Sequence, residues 1–303
     1  MSKKDPRFFP NPSEPCPCGS GKILAQCCRH FDGTVFKEPS PIRPPGPRTG
    51  YSHPRCYLNF TQNCCSKISG EHFVSHGILR RIGQSVSVMG APWLTAGEIR
   101  TYATKNLTAN ILCVRHNSAF SDVDNAAIQL FKFVNEVHAV LSQRSLSRKK
   151  KFYLVSGDDL EMWATKALLG LFHSQPKDTT LAEYSIDRSV VEKLIRTARL
   201  PKGCGIYLNA RLGTRRVHNE NEITVGTITL KDEMRLIGLV IDIGSVSVDF
   251  LMDPFGVSSL QRSKKLYRPA HLMFEGRGKA HVIFICWSSD HCKDGVVFTL
   301  NKR

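Results

Sequence analysis

Helical periodicity marks the middle of the chain. Three segments carry apolar side chains at the spacing of a helix: 121–141, 157–172 and 188–200. In the first, Ser121 is placed to cap the helix, and Asp122 and Asp124 supply acidic residues to its first turn. The second is predicted to be a capped amphipathic helix, and the third stops at Pro201. We therefore predict three helices, the first of them buried on most sides.

After residue 200 the period of the pattern changes to two, which is typical of strands. Seven segments have this character: CGIYLNARL, EITVGTITL, RLIGLVIDI, SVSVDFLMD, LYRPAHLMF, AHVIFICW and GVVFTL. We interpret them as successive strands of one antiparallel sheet, in which GKAHVIFICW is a core strand. The pattern predicts an α+β protein whose last part combines helices with a sheet.

Proline and glycine divide the chain further. Residues 32–50, DGTVFKEPSPIRPPGPRTG, contain five prolines and three glycines, the composition of a semi-rigid linker. We expect four parts: a cysteine-rich motif at 1–31, this linker, a second cysteine-containing domain at 51–150, and an α+β domain at 151–303. RSLSRKKKF (144–152) is predicted to be a basic connector before the last part.

Charge is distributed unevenly along the 303 residues, which have a net charge of +16. Residues 1–70 carry ten Lys/Arg against four Asp/Glu, and residues 71–151 carry eleven against five. A basic half suggests a polyanionic partner such as nucleic acid, although basic proteins also exist that bind none. The candidate phosphate contacts are Arg80, Arg81, Arg115, Lys149 and Lys150.

No run approaches the roughly 18 apolar residues that a membrane-spanning helix needs. The N-terminal residues also lack the apolar core of a signal peptide. We therefore expect a cytoplasmic protein with no membrane partner. In that reducing compartment, clustered cysteines hold a metal more often than they form disulfides.

Four of the eleven cysteines lie within residues 15–28, PCPCGSGKILAQCC. Gly19 and Gly21 permit a tight reversal, so the first cysteine pair can meet the second across one Zn²⁺. Four thiolates suit tetrahedral zinc, and so small a unit would not fold without the metal. The predicted zinc ligands are Cys16, Cys18, Cys27 and Cys28.

The residues around these cysteines resemble the SEC-C zinc motif, the short tail module of the SecA translocation motor that also occurs in other proteins. The ligands, Pro17, the GSGK turn and Gln26 all agree with it. The resemblance implies a module that binds a protein or ribosomal partner and performs no catalysis. Four thiolates saturate a zinc ion and leave no position open for a substrate.

A second set of metal-ligating residues is spread over residues 55–124. Cys56 with Cys64 or Cys65 forms one pair, and Cys113 with His116 forms another just before the predicted helix at 121–141. Two such pairs, with the second at a helix start, are how a treble-clef zinc site is built. The sequence therefore predicts a second structural zinc site.

Glu71-His72 lies between the two pairs, and Asn117 directly follows the second. An acid-His dipeptide upstream of a C-x2-[CH]-N segment resembles the HNH nuclease family, also called the ββα-metal or His-Me finger fold. The resemblance implies that His72 activates a water molecule, that Glu71 and Asn117 hold a catalytic Mg²⁺ or Mn²⁺, and that Asn106 or Asn110 orients His72. Cys56, Cys64, Cys113 and His116 would hold the structural zinc.

The implied chemistry is self-consistent. Phosphodiester hydrolysis needs a base with a pKa near neutrality, which His supplies, and a cation to offset the charge that develops on phosphate. The chain departs from the family pattern because about forty residues separate His72 from Cys113, so part of this stretch must be an insertion. We expect an endonuclease acting on DNA in preference to RNA, for which defence against foreign DNA is one setting. The alternative is a non-catalytic zinc adaptor that contacts a protein or the ribosome.

Overall fold

The computed structural model describes residues 11–18, 20–29, 39, 41–89, 93–95, 98–142, 152–174, 184–209, 223–243, 246–253, 265–276, 279–289 and 291–299. Its helices are α1 (His76–Ile82), α2 (Val114–Ala119), α3 (Ser121–Ser142), α4 (Gly157–His173) and α5 (Arg188–Thr197). Its strands are β1 (Ile68–Glu71), β2 (Ser85–Met89), β3 (Ile99–Ala103), β4 (Ala109–Cys113), β5 (Phe152–Ser156), β6 (Gly205–Asn209), β7 (Ile223–Leu230), β8 (Arg235–Ile243), β9 (Val246–Leu251), β10 (Lys265–Tyr267), β11 (His271–Gly276), β12 (Lys279–Cys286) and β13 (Val296–Thr299). Helix and sheet are thus mixed, as the sequence pattern predicts.

The strands form four sheets. β1 pairs antiparallel with β4, and β2 pairs antiparallel with β3. A five-stranded sheet has the order β10-β6-β9-β8-β7 and is antiparallel throughout. A four-stranded sheet has the order β13-β11-β12-β5, in which β5 runs parallel to β12 and β13 runs parallel to β11.

The three predicted helices are present as α3, α4 and α5, with two local differences. Ser121 does not cap α3, because α2 leads almost directly into it and the Ser121 hydroxyl donates to the Ser118 carbonyl. The third helix ends at Thr197, before Pro201, because Ala198 takes up the left-handed conformation with φ 55°.

The expectation of one antiparallel sheet after residue 200 is wrong. The seven segments divide between two sheets, and LYRPAHLMF is split at Arg268 and Pro269 into β10 and β11. β5, which overlaps the predicted connector, joins the second sheet parallel to β12, and β13 runs parallel to β11, so this sheet is mixed. Its partner lies more than a hundred residues later, and nothing local in the pattern indicates a pairing at that separation.

The four-stranded sheet is covered on both faces. Tyr153, Val155, Leu272, Phe274, Ile283 and Ile285 belong to the main core, which also includes residues of α3 and α4. The alternate residues belong to a second cluster, Phe152, Leu154, Met273, Val282, Phe284 and Cys286, which packs against Cys16, Leu24 and Cys28. The described residues of the 15–28 segment therefore lie on the outer face of this sheet. Burial on both faces explains why β12 is apolar nearly throughout.

Helix α4 is the centre of the molecule. Every residue from Gly157 to Leu171 is buried, so the helix is not amphipathic as expected. Ser156 caps it by accepting a hydrogen bond from the Asp159 amide at 3.2 Å. The polar residues of the helix are buried because they have partners in other elements, which hydrophobic periodicity does not reveal.

A buried ion pair joins α4 to the five-stranded sheet. Arg268 donates to both carboxylate oxygens of Glu161, at 2.9 and 2.8 Å, and Glu161 Oε1 also accepts from the Ile206 amide at 2.9 Å. Gly205 has φ +135°, and a Cβ there would lie 2.1 Å from Glu161 Oε1. Glycine is therefore required for the chain to pass so close to the carboxylate.

Candidate metal centres and the Glu71–His72 site

The first cysteine cluster has the geometry of a zinc site. The sulfur atoms of Cys16, Cys18, Cys27 and Cys28 all lie within 4.8 Å of one another. The Cys18–Cys27 and Cys27–Cys28 Sγ separations are 3.5 and 3.7 Å. A tetrahedral ion with Zn–S bonds of about 2.3 Å has ligand separations of about 3.8 Å, so these four thiols fit zinc.

The thiols of this cluster differ in pKa. A hydrogen bond from Cys28, with a smaller contribution from Ser20, lowers the pKa of Cys18 to about 4. Burial raises the pKa of Cys16 to about 11. The hydrogen bond with Cys18, followed by burial, raises the pKa of Cys28. Binding of Zn²⁺ would displace the protons that remain, because thiolates and not thiols are the ligands.

The second cluster brings together residues up to 60 positions apart. Cys56, Cys64, Cys113 and His116 are all buried, and their ligand atoms also lie within 4.8 Å of one another. His116 Nδ1 is 3.5, 3.7 and 3.1 Å from the sulfur atoms of Cys56, Cys64 and Cys113. Tetrahedral zinc with three sulfur ligands and one nitrogen ligand predicts separations of about 3.6 Å, so this set also fits zinc.

The hydroxyl of Thr61 selects which nitrogen of His116 faces the sulfur atoms. It donates to the Leu58 carbonyl at 2.8 Å, so it is an acceptor towards His116 Nε2 at 2.9 Å. The ring proton therefore lies on Nε2, and Nδ1 presents its lone pair to the cluster. Burial, with help from Arg115, lowers the pKa of His116 to about 4, which keeps the ring neutral and able to bind a metal.

Of the two adjacent cysteines, Cys64 and not Cys65 belongs to the ligand set. Cys64 is buried within the ligand set, whereas Cys65 is half-buried and its thiol faces the Lys67 carbonyl at 3.4 Å. Cys113 ends β4 and caps α2, accepting a hydrogen bond from the His116 amide at 3.5 Å. The second pair therefore lies at a helix start, where the sequence places it.

Glu71 is the last residue of β1, and its side chain is only 1% exposed. Its Oε1 lies 2.6 Å from the ammonium of Lys166 in α4, which is 2% exposed. The contact is ionic rather than a directed hydrogen bond, since Oε1 has no hydrogen-bond partner by geometry. Burial raises the pKa of Glu71 to about 7, and Lys166 opposes that rise.

His72 follows β1 and is half-buried. Its ring stacks on that of His76, with centroids 4.6 Å apart, and its Nε2 is buried without a hydrogen-bond partner. Burial is the main cause that lowers its pKa, His76 adds to the effect, and a backbone hydrogen bond with Thr104 opposes it. The ring is therefore neutral at pH 7 and has a nitrogen that a ligand could satisfy.

The three asparagines take different places. Asn117, in α2, donates to Ser69 Oγ at 3.0 Å, which sets it beside β1 two residues before Glu71. Asn106 ends a 3₁₀ turn and Asn110 lies on β4, and both are exposed. The group that contacts His72 from this part of the chain is the backbone of Thr104.

Comparison with known proteins identifies one segment. Residues 13–29 match the SEC-C motif. No curated protein and no solved structure matches the chain. The SEC-C motif thus accounts for the first zinc-capable cluster and for the residues that pack on the four-stranded sheet, while the second cluster and the Glu71–His72 site are described by their geometry alone.

The described residues do not fit a catalytic divalent metal at Glu71. Its carboxylate faces the Lys166 ammonium, and the amide of Asn117 is engaged with Ser69. Within the described part of the chain, groups of three or more His, Cys, Asp or Glu side chains that could share a metal ion occur only in the SEC-C motif and the second cluster. The expected Mg²⁺ or Mn²⁺ site is therefore not supported.

The basic residues proposed for phosphate also differ in placement. Arg80 and Arg81 are exposed in the last turn of α1. Arg115 donates to the carbonyls of Gly46 and Pro47 and to Asn63, so it secures the linker to the second cluster. Lys149 and Lys150 lie outside the described residues. No helix in the described ranges is long and apolar enough to cross a membrane.

Sequence reasoning missed the residues that support these sites. Lys166 and Asp124 form the ionic neighbourhood of Glu71, and Thr61 orients His116. Lys166 gives one signal, a basic residue inside an otherwise apolar helical stretch, but the sequence does not show whether it points to solvent. Asp124 reads as an ordinary acid in the first turn of a helix.

Proposed function

We propose that the chain is an endonuclease of HNH type that hydrolyses phosphodiester bonds in nucleic acid, DNA in preference to RNA. The observation that carries the proposal is the arrangement of β1, β4 and α2. Two antiparallel strands and the following helix bring Cys113 and His116 to the second cluster and leave His72 at the end of β1. This order of elements is what the resemblance to the ββα-metal fold implies.

His72 has the properties of a general base. Its lowered pKa keeps it neutral, and its unpartnered Nε2 can accept a proton from water. In the proposed reaction His72 takes that proton while the water oxygen attacks phosphorus. The bond from phosphorus to the leaving sugar oxygen breaks, and this oxygen takes up a proton from solvent. His72 then returns to solvent the proton that it took from water. One water is consumed and the products are a phosphate monoester and a free hydroxyl.

Substrate binding is proposed to be electrostatic. Arg80 and Arg81 are exposed on α1, four and five residues after His76, whose ring stacks on His72. Together with the net charge of +16, they favour a polyanion without regard to its base sequence. Double-stranded DNA has the higher charge density, which is why we favour it over single-stranded RNA.

The test is cleavage of plasmid DNA and of RNA by zinc-loaded protein, with and without added Mg²⁺ or Mn²⁺. Removal of a general base costs about 10²–10⁴ in rate, so we expect His72→Ala to lose activity by that factor. His291→Ala is the matched control, because His291 is exposed and contacts only Ser289 in its own loop.

Equal cleavage by wild type and His72→Ala would disprove the assignment of His72. Absence of cleavage under all conditions would leave the adaptor alternative, in which the SEC-C motif contacts a protein or ribosomal partner. Protection of a phage-challenged host by wild type but not by His72→Ala would place the activity in defence.

A further inference from the structure

A lysine lies where the sequence pattern leads one to expect a metal ion. The Lys166 ammonium is 2.6 Å from Glu71 Oε1 and 2.8 and 2.6 Å from the two oxygens of Asp124. Three elements meet at this point, since Glu71 ends β1, Asp124 lies in α3 and Lys166 lies in α4. A charge that is 2% exposed is costly unless it is paired, so the two carboxylates account for its burial.

The surroundings hold this cluster in one arrangement. Ser75 donates to Asp124 Oδ1 at 2.6 Å and accepts from the Trp163 indole at 2.8 Å, which ties α3 to α4. The ring of Phe120 lies 5.8 Å from the Lys166 ammonium. Helix α4 is also held five residues earlier by the Glu161–Arg268 pair, so a rigid element places Lys166 beside Glu71.

A divalent ion at Glu71 would have to compete with this ammonium. Mg²⁺ binds carboxylate oxygens at about 2.0–2.1 Å and keeps several waters, which needs open space around the oxygen. Glu71 is 1% exposed, and the side of Oε1 that an ion would use faces Lys166. The ammonium already supplies the positive charge that makes an ionised Glu71 tolerable in the interior.

We propose that Lys166 is a positioning residue of the candidate site: it takes the place of a divalent cation at Glu71 and, through Glu71, fixes the chain at His72. His72 is the next residue, so any movement of the Glu71 carboxylate is passed directly to its backbone. The catalytic meaning of this role rests on the proposed function, but the ionic arrangement does not.

The first experiment measures binding of Mn²⁺ to zinc-loaded protein by electron paramagnetic resonance, which needs no nucleic acid. Zinc binds N/S sites more tightly than manganese, so the two clusters remain occupied. We expect wild type and Glu71→Gln to bind Mn²⁺ equally, with no site that depends on Glu71. Lys166→Ala is expected to gain a Mn²⁺ site, because two carboxylates lose their cation and the shortened side chain leaves space for the ion, and the added Glu71→Gln substitution is expected to remove it.

The second experiment follows the His72 imidazole by NMR during a pH titration. The charged groups facing His72 are His76 on α1, Lys166 on α4 and Asp124 on α3. Lys166 lowers the pKa of His72 and Asp124 raises it, so Lys166→Met is expected to shift the titration upward. Lys166→Arg, which keeps the charge, is expected to return the midpoint towards that of wild type.

A wild-type Mn²⁺ site that Glu71→Gln abolishes would overturn the proposal, and this comparison stands even if Lys166→Ala does not fold. An unchanged His72 titration in both lysine variants would overturn the positioning role. If neither result occurs and no nucleic acid is cleaved, the nuclease proposal fails while the role of Lys166 at Glu71 stands.

Discussion

The Thr61 hydroxyl links the Leu58 carbonyl to the ring of His116. Thr61→Val tests whether this hydroxyl selects the metal-binding tautomer of His116. Valine keeps the shape of threonine but removes the hydroxyl that accepts from His116 Nε2 at 2.9 Å and donates to the Leu58 carbonyl at 2.8 Å. The Nε2–H then loses its partner in an environment where His116 is 1% exposed. With nothing to hold the proton on Nε2, Nδ1 is no longer selected as the ligand.

The magnitude follows from that lost partner. An unsatisfied buried polar group costs about 1–3 kcal/mol. A tenfold change in affinity corresponds to about 1.4 kcal/mol, so the expected loss of zinc affinity is about 10–100-fold, the range found for residues that orient metal ligands. The four ligands remain, so the site is weakened and not abolished.

The assay is competition for Zn²⁺ with a chromophoric chelator. Thr101→Val is the matched control, because Thr101 is exposed on β3 and its hydroxyl contacts only that of Ser87 at 3.1 Å. We expect the control to keep wild-type affinity at both sites. Wild-type affinity in Thr61→Val as well would refute the argument that this hydroxyl fixes the tautomer.

Three further predictions concern metal content and stability. Metal analysis is expected to find two zinc ions per wild-type chain and one in Cys113→Ser; two in the variant would contradict the ligand assignment. Leu24→Ala is expected to lower the free energy of unfolding by about 2–5 kcal/mol in urea, because Leu24 is the buried residue of the SEC-C motif that packs with the strand residues of the sheet. Ile23→Ala, at an exposed position, should change the free energy of unfolding far less, and equal effects would exclude this docking. Glu161→Gln is expected to cost about 3–5 kcal/mol because the buried Arg268 guanidinium loses the carboxylate charge that offsets its own, and replacing both residues with apolar ones should cost less; the reverse order would count against the ion pair.

Features of the fold that depend on residues close together in the sequence were predicted correctly, and features that depend on distant residues were not. The helices at 121–141 and 157–172 were predictable because helical hydrogen bonds join residues four apart. The strands were also predictable, but their sheet partners were not. β5 pairs with β12 across more than a hundred residues. The apolar pattern of β12 is compatible with a parallel neighbour and with an antiparallel one.

The candidate sites show the same dependence on how far apart the interacting residues lie in the sequence. The SEC-C cluster was readable because its four ligands occupy thirteen consecutive positions and short turns bring them together. The second ligand set was predictable as a set, but the choice of Cys64 over Cys65 depended on which thiol faces His116 in the folded chain. The resemblance that pointed to Glu71 and His72 gave no information about what lies beside them.

The sequence by itself determined the positions of α3, α4, α5 and the strands after residue 200, the set of residues from which the zinc ligands come, and that Glu71 and His72 are adjacent. Only the tertiary structure decided that the SEC-C motif covers a sheet and that the neighbour of Glu71 is Lys166, which is 42 residues beyond Asp124. The physical reason is that periodicity and spacing record interactions within a few residues. The burial of a charge depends on a partner from another element, and the sequence carries no local mark of that partner.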